Sequence, residues 1–316
     1  MATTNFCTDT GLQNKRRFSS RTNSLQHLIQ RHTSSRADAL PVYLQVLTAL
    51  RFYAVGTFQL MHGDEATLSQ ASLSRIISDV SIQIAHLRPQ YIQFPTTPLQ
   101  IQQTQQRFFD YCQFPGVVGA IDCTHVHIRS PGGDNAQRFL NRKGRFSINV
   151  QAVCTHEGLI IDVVARWPGG SHDSRIFRES RLKRILQEAS HEAKWLLGDS
   201  GYACQPYVMT PLLHPRDRSQ QRYNRAQIRG RNIIERTFGM MKRRFPCLNQ
   251  LRLKLETTLT TIVAVAVLWN LSIMRNEPQV NGPEPQENPG DLLPPDGANN
   301  IAGQLRRQWL IEHHFT

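Results

Sequence analysis

Two periodicities alternate along this chain. Between residues 41 and 60, opened by Pro41, apolar positions Leu44, Leu47, Leu50 and Phe58 predict an amphipathic helix. A short helical turn over residues 65–68 leads to Ser69, a good N-cap for a helix in which Leu73, Ile76, Ile77, Val80 and Ile84 fall at i, i+3, i+4, i+7 and i+11. A proline-punctuated connection over 88–103 follows, and a helix returns over 103–113. The period then shortens. Residues 117–122, 145–155 and 159–167 predict three strands, with His156-Glu157-Gly158 as the hairpin turn between the last two. A helix over 174–189, a short strand at 195–197 and a helix over 229–245 come next, the last with Ile234, Phe238, Met241 and Phe245 on one face.

The most apolar run, residues 261–274, is shorter than the roughly 20 residues a membrane-spanning helix needs. It is expected as a core helix, and no membrane partner is expected. Residues 1–36 are polar and basic, with Lys15-Arg16-Arg17, Arg21, Arg31 and Arg36 against Asp9, and read as a disordered arm. Residues 276–303, rich in Pro, Asn, Gly and Glu, read as a flexible linker, and 304–316 as a short final helix. Between arm and linker stand a helical unit over 37–100, resembling a helix-turn-helix, and an α/β unit over 101–275.

Charge narrows the partner. A formal charge of +13 and a pI near 10.0 point to a polyanion, nucleic acid before an anionic membrane. The six cysteines carry no C-x-x-C pair, which argues against a structural zinc site and for reduced thiols. In the helix that Ser69 opens, the early polar positions Gln70, Ser72, Ser74 and Arg75 suit an end presented to a DNA groove, with Arg75 the base-contacting candidate. Arg142, Lys143 and Arg145, then Arg229, Arg231, Arg236, Lys242, Arg243 and Arg244, supply basic clusters suited to a phosphate backbone.

Three acids stand out against this basic background. Asp122 follows Val117-Val118-Gly119-Ala120-Ile121, Asp199 follows Trp195-Leu196-Leu197-Gly198, and Glu235 is the lone acid on the basic helix at 229–245. Two aspartates at strand ends and a helical glutamate form a donor set for Mg²⁺ or Mn²⁺. Hard cations take carboxylate oxygens, and a metal pair about 3.5–4 Å apart stabilises the attacking and leaving oxygens of a phosphodiester together. Pairing of Glu235 with Arg231 one turn earlier is the plainer alternative, although basic-before-acidic is the weaker orientation. Asp173, where a helix begins, is either an N-cap or a further ligand. His125 and His127 alternate as strand residues do, and the carboxylates favour a harder ion than zinc.

Five blocks then carry a resemblance. Phe114-Pro115-Gly116-Val117-Val118-Gly119-Ala120-Ile121-Asp122-Cys123-Thr124-His125, Asn141-Arg142-Lys143-Gly144, Trp167-Pro168-Gly169-Gly170-Ser171-His172-Asp173-Ser174-Arg175, Gly198-Asp199-Ser200-Gly201-Tyr202 and Ile234-Glu235-Arg236-Thr237-Phe238-Gly239 closely resemble the Harbinger (PIF/Harbinger) transposase-derived nuclease family, which carries a DDE superfamily endonuclease domain. The blocks occur in the family's order, and Glu235 stands 36 positions after Asp199, the spacing favoured by its pattern. The resemblance implies an RNase H-like mixed sheet with flanking helices. It implies two divalent cations (Mg²⁺ or Mn²⁺), with Asp122 and Asp199 bridging or flanking them, Glu235 completing the second site and Asp173 adding a ligand. It also implies DNA as substrate, a nuclear setting with the cytoplasm left open, and a separate Myb/SANT-like DNA-binding partner. The rival readings are a domesticated DNA-binding adaptor without cleavage and a nuclease acting on RNA, since a metal site meets a phosphodiester in either nucleic acid.

Overall fold

The structure is a computed structural model and describes residues 40–57, 69–189, 192–279 and 300–316. The basic arm at 1–36, the turn at 65–68 and most of the linker lie outside the described residues.

Helix α1 (Val42–Val55) buries Gln45, Val46, Ala49, Phe52 and Tyr53 and ends at Gly56, whose φ of 81° suits glycine. Its buried stripe is offset from the expected one: Leu44, Leu47 and Leu50 are half-buried, because the aromatic pair Phe52 and Tyr53 takes the core side. Helix α2 (Gln70–His86) follows the expected pattern. Ser69 Oγ accepts from the Ser72 amide, and Leu73, Ile76, Ile77, Val80 and Ile84 are all buried. A single turn, α3 (Arg88–Tyr91), precedes α4 (Pro98–Cys112). Helix α4 starts earlier than expected because Thr97 and Gln100 form a reciprocal capping box with Pro98 in the first turn.

Strands β1 (Val117–Ile128), β2 (Ser147–Cys154) and β3 (Ile160–Pro168) form an antiparallel meander, with Gly158 at φ 82° in the β2–β3 turn. Strand β1 does not end at Asp122. Its pairing with β2 continues from Asp122↔Ala152 to His127↔Ser147, so the aspartate sits in mid-strand. The helix expected over 174–189 is two helices, α5 (Asp173–Arg178) and α6 (Arg181–Glu188), because the Ser180 hydroxyl accepts from the Lys183 amide and starts a new one.

Strands β4 (Trp195–Leu197) and β5 (Val208–Met209) add in parallel, giving the order β3-β2-β1-β4-β5. Helix α7 (Arg218–Arg244) runs 27 residues from an Asp217 cap, well before the apolar repeat at 229 begins. Strand β6 (Gln250–Leu251) pairs with the far end of β1. A mixed sheet in this order, flanked by helices, is the expected RNase H-like arrangement.

Helix α8 (Leu255–Met274) contains the apolar run. At 20 residues it is long and apolar enough to cross a membrane by length and composition, which corrects the expectation that it is too short. Here its Ala264, Val265, Val267 and Trp269 are wholly buried. Asn270 on α8 accepts from the Ile160 amide and donates to the Ile160 and Tyr91 carbonyls, closing the outer edge of β3. Ser81 on α2 bonds both Tyr53 on α1 and Thr261 on α8. The N-terminal helices and the sheet therefore share one hydrophobic core. Helix α9 (Ile301–His314) starts three residues before the expected 304. It docks through Gly303 against Gln205, and Phe315 beyond it packs on Phe114 and Tyr223.

Candidate metal centre

The site grows from strand register. Strands β1 and β4 run parallel, and their last paired residues are Ala120 and Leu197. Asp122 and Asp199 each lie two positions further on, so adjacent strands deliver two carboxylates to one place. Pairing on this edge of β1 resumes only at His127↔Gln250 with β6, which leaves a gap in the sheet beside Asp122.

Helix α7 closes over the gap. Gly230 lets it come close: a Cβ there would lie 2.4 Å from Leu197 Cδ1. Next to Gly230 α7 presents Arg231 and, one helical turn later, Glu235. Asp173, the first residue of α5, arrives from the β2 side, where Asn149 Nδ2 donates to its Oδ1 at 2.8 Å and to the Ser171 carbonyl at 2.9 Å.

The acids repel one another. Burial pushes Asp122 well above the usual carboxylate range, and the charges of Asp199 and Asp173 add to it, while the Cys123 amide and Arg231 oppose it. Asp199 is pushed up to about 6 by burial and then by Asp173, with Arg231 and the Gly201 amide pulling back. One oxygen of each aspartate is fixed by backbone, Asp122 Oδ1 by Cys123 N at 2.7 Å and Asp199 Oδ1 by Gly201 N at 3.0 Å. Glu235 adds its repulsion to Asp199. Asp122, Asp173, Asp199 and Glu235 are therefore brought together.

Two alternatives are resolved by these contacts. The N-cap of α5 is His172, so Asp173 is no cap; its side chain is held by Asn149. Glu235 does pair with Arg231, Nη1 to Oε1 at 2.5 Å, with both side chains largely covered. Burial in an acidic pocket outweighs the weaker sequence order of the pair.

The basic candidates separate. Arg231 sits among the acids rather than on an open face. Arg229 and Arg236 stack on Tyr111 of α4, at 5.0 and 5.9 Å from its centroid, and Arg236 also donates to the Tyr111 hydroxyl. Arg229 and Arg231 are roughly 200° apart around the helix. Arg142 lies near Asp173 through a 3.0 Å contact with His172, and Lys143 is exposed on the same loop. Arg243 is half-buried near the end of α7. Arg75 is exposed on the first turns of α2, within 3.5 Å of the Ser72 hydroxyl and close enough to Asp79 to oppose part of the rise in pKa that burial gives that carboxyl.

Several partners of the acids are not evident in the sequence. Ser147, Asn149 and Gln151 alternate along β2 and look like a solvent face, yet all three are buried. Gln151 Nε2 donates to the Tyr202 hydroxyl at 3.2 Å, and that hydroxyl lies 3.4 Å from Cys123 Sγ. Lys242 Nζ donates to Thr124 Oγ1 and to the His125 carbonyl, an acceptor that the sheet gap would otherwise leave unpaired. The signal for β2 is a polar alternation on a strand between two apolar ones.

Among the described residues no three His, Cys, Asp or Glu side chains stand close enough together to hold a metal ion as they lie. The donor chemistry nonetheless fits a hard divalent cation. Burial, with repulsion from neighbouring acids added to it, raises the pKa of both Asp122 and Asp199, a cost that a cation would relieve, and the charge opposing it comes from Arg231.

Known proteins resemble this chain over most of its length. Residues 121–270, from β1 to α8, match the profile of the DDE superfamily endonuclease domain. The human protein named "Putative nuclease HARBI1" is 32% identical over 288 residues, covering 89% of this chain and 82% of that one. The mouse protein of the same name is 33% identical over 293 residues, covering 90% and 83%. "Protein ALP1-like" of Arabidopsis thaliana is 22% identical over 276 residues, covering 82% and 67%. No solved structure matches.

Proposed function

The chain belongs to the Harbinger transposase-derived nuclease family, and we propose that it is a divalent-metal-dependent nuclease that hydrolyses phosphodiester bonds of DNA. The observation that carries the reading is the register of Asp122 and Asp199. Two adjacent parallel strands end their pairing together and leave two mutually repelling carboxylates beside a gap in the sheet.

Asp122, Asp199, Asp173 and Glu235 would hold one or two Mg²⁺ or Mn²⁺ ions. Such ions, when bound, supply Lewis-acid stabilisation of the charge that builds on phosphodiester oxygens. The chain's own contribution is orientation. Backbone amides of Cys123 and Gly201 fix one oxygen of each aspartate and leave the other for a ligand. Asn149 aims Asp173, and Gln151 with Tyr202 packs beneath Cys123. Arg231 pairs with Glu235 and offsets the charge of the acids, and Glu235, if freed from the guanidinium, would be available as a further ligand. A nuclear setting and a Myb/SANT-like DNA-binding partner are part of the same proposal, since the basic charge suits DNA while the exposed α2 face offers few base-reading side chains.

The Arg231–Glu235 pair favours the rival reading of a DNA-binding adaptor that does not cleave, because it keeps the third acid occupied. The two readings separate in one assay. Purified protein incubated with Mn²⁺ or Mg²⁺ and labelled duplex DNA or RNA, with and without the partner, is expected to cleave DNA. Binding without cleavage under every condition selects the adaptor.

A further inference from the structure

Beyond Asp122, strand β1 continues along two depressions that no step above uses. The first, about 650 Å³, is lined by His125, His127, Gly144, Arg145, Lys242 and Gln250, among others. The second, about 470 Å³, is lined by Phe52, Gly56, Gln70, Arg129, Gln250 and Arg252, among others. Gln250 lines both, so they adjoin at β6, and the second reaches the first residue of α2. Among the described residues lining them there is no carboxylate.

We infer that this paired groove is a binding site for the sugar-phosphate backbone of DNA, a track leading from the acid cluster along β1 to the start of α2. The inference rests on the nuclease reading for its direction, and on the cavity and its charge for its chemistry. Its lining is of one sign, with Arg145, Arg129 and Arg252 as fixed cations, and Lys242 and two histidines beside them. A concave, one-signed wall concentrates an anion more strongly than scattered surface charge does. Burial pulls Lys242 down to about 8, and no described carboxylate pairs with it, so an anion in the groove relieves a cost that the free protein carries. Lys242 also caps the sheet gap through the His125 carbonyl, a structural duty that makes it a poor test residue.

The dimensions suit the ligand. Residues 122 to 128 of β1 span roughly 20 Å at about 3.3 Å per residue. One strand of duplex DNA carries a phosphate per roughly 3.4 Å of axis, so the track is long enough for several phosphates. Each neutralised phosphate adds about 0.9 to the slope of log K against log salt.

The test measures that slope for duplex DNA in EDTA with the full chain, comparing wild type with Arg129→Ala/Arg145→Ala/Arg252→Ala. The slope is expected to fall by about two to three, with binding in low salt weakened at least tenfold. Hydrolysis of bis(p-nitrophenyl) phosphate with Mn²⁺, a diester too small to reach the track, is expected to be unchanged in the triple variant. An unchanged slope, or no salt-dependent binding by wild type, overturns the track whatever the small diester shows. A track-dependent slope without any Mn²⁺-dependent hydrolysis keeps the track and overturns the nuclease reading. Tighter, track-dependent binding of duplex RNA overturns the assignment to DNA.

Discussion

Arg231 Nη1 lies 2.5 Å from Glu235 Oε1, and the same guanidinium opposes the rise in pKa that burial and neighbouring acids impose on Asp122 and Asp199. One cation thus serves three of the four acids. On the proposed reading, Arg231 is the counter-charge of the metal-free state.

Arg231→Met is therefore expected to destabilise the metal-free protein by roughly 1–3 kcal/mol, the cost of leaving a half-buried acid cluster without its cation. It should also tighten Mn²⁺ binding by freeing Glu235. Urea denaturation in EDTA and in saturating Mn²⁺ checks both, and the deficit should shrink when Mn²⁺ is present. A deficit of equal size in both buffers would place Arg231 in simple packing.

Burial, with repulsion among the acids added to it, sets a pH signature. Asp199 is pushed up to about 6 and Asp122 is raised well above its usual range, so both bind protons more readily folded than unfolded. Their contribution to stability is fully present below about pH 4 and is lost as pH rises through 6. Metal-free Asp199→Asn should then be more stable than wild type at pH 7 by roughly 1–2 kcal/mol, the upper end being discounted for coupling between the acids. The advantage should vanish at pH 4. Thermal melts across pH 4–7.5 in EDTA read it, and an advantage that persists at pH 4 would show another origin.

Asn149 fixes Asp173 rather than a helix cap doing so. Asp173→Ser and Asp173→Ala are thus expected to weaken Mn²⁺ binding equally, and Asn149→Ala to weaken it about 10- to 100-fold as loss of an outer partner of a ligand does. Isothermal titration with Mn²⁺ decides. Wild-type affinity in Asp173→Ser would remove this aspartate from the ligand set.

Close approach of α7 to β4 depends on Gly230, where an added Cβ meets Leu197 Cδ1 at 2.4 Å. Gly230→Ala should cost about 1–3 kcal/mol by overpacking and displace Asp199, which follows the same strand. The denaturation midpoint in urea reads the first effect. A neutral midpoint would mean that Leu197 repacks freely.

Long apolar repeats made much of this architecture legible. The α2 stripe, the three-strand meander and the two aspartates after short apolar runs follow from periods of 3.6 and 2 over several residues. Strands β5 and β6, at two residues each, are too short to show any period. The break at Ser180 was hidden because a serine hydroxyl caps a helix only where the backbone has already turned. Within the cluster, Asp122, Asp199 and Glu235 stand out in the sequence as lone charges against apolar or basic neighbours, and Asp173 only by its place where a helix begins. Asn149 and Gln151 do not, since polar alternation on a strand looks the same whether that face meets water or a buried network. Arg231 and Lys242 were read with the surface bases because sequence shows their charge and not the acids and edge carbonyl that tertiary contact brings to them.

The central claim is that these acids hold the cation with which the chain cuts DNA. Counting Mn²⁺ bound per chain by electron paramagnetic resonance, and measuring duplex DNA cleavage in the same samples, tests it most directly for wild type and for Asp122→Asn/Asp199→Asn. The account predicts that wild type binds Mn²⁺ and cleaves, while the double variant stays folded, loses at least one bound ion and shows cleavage reduced by at least a hundredfold. Equal Mn²⁺ binding by both proteins, or equal cleavage, would contradict it.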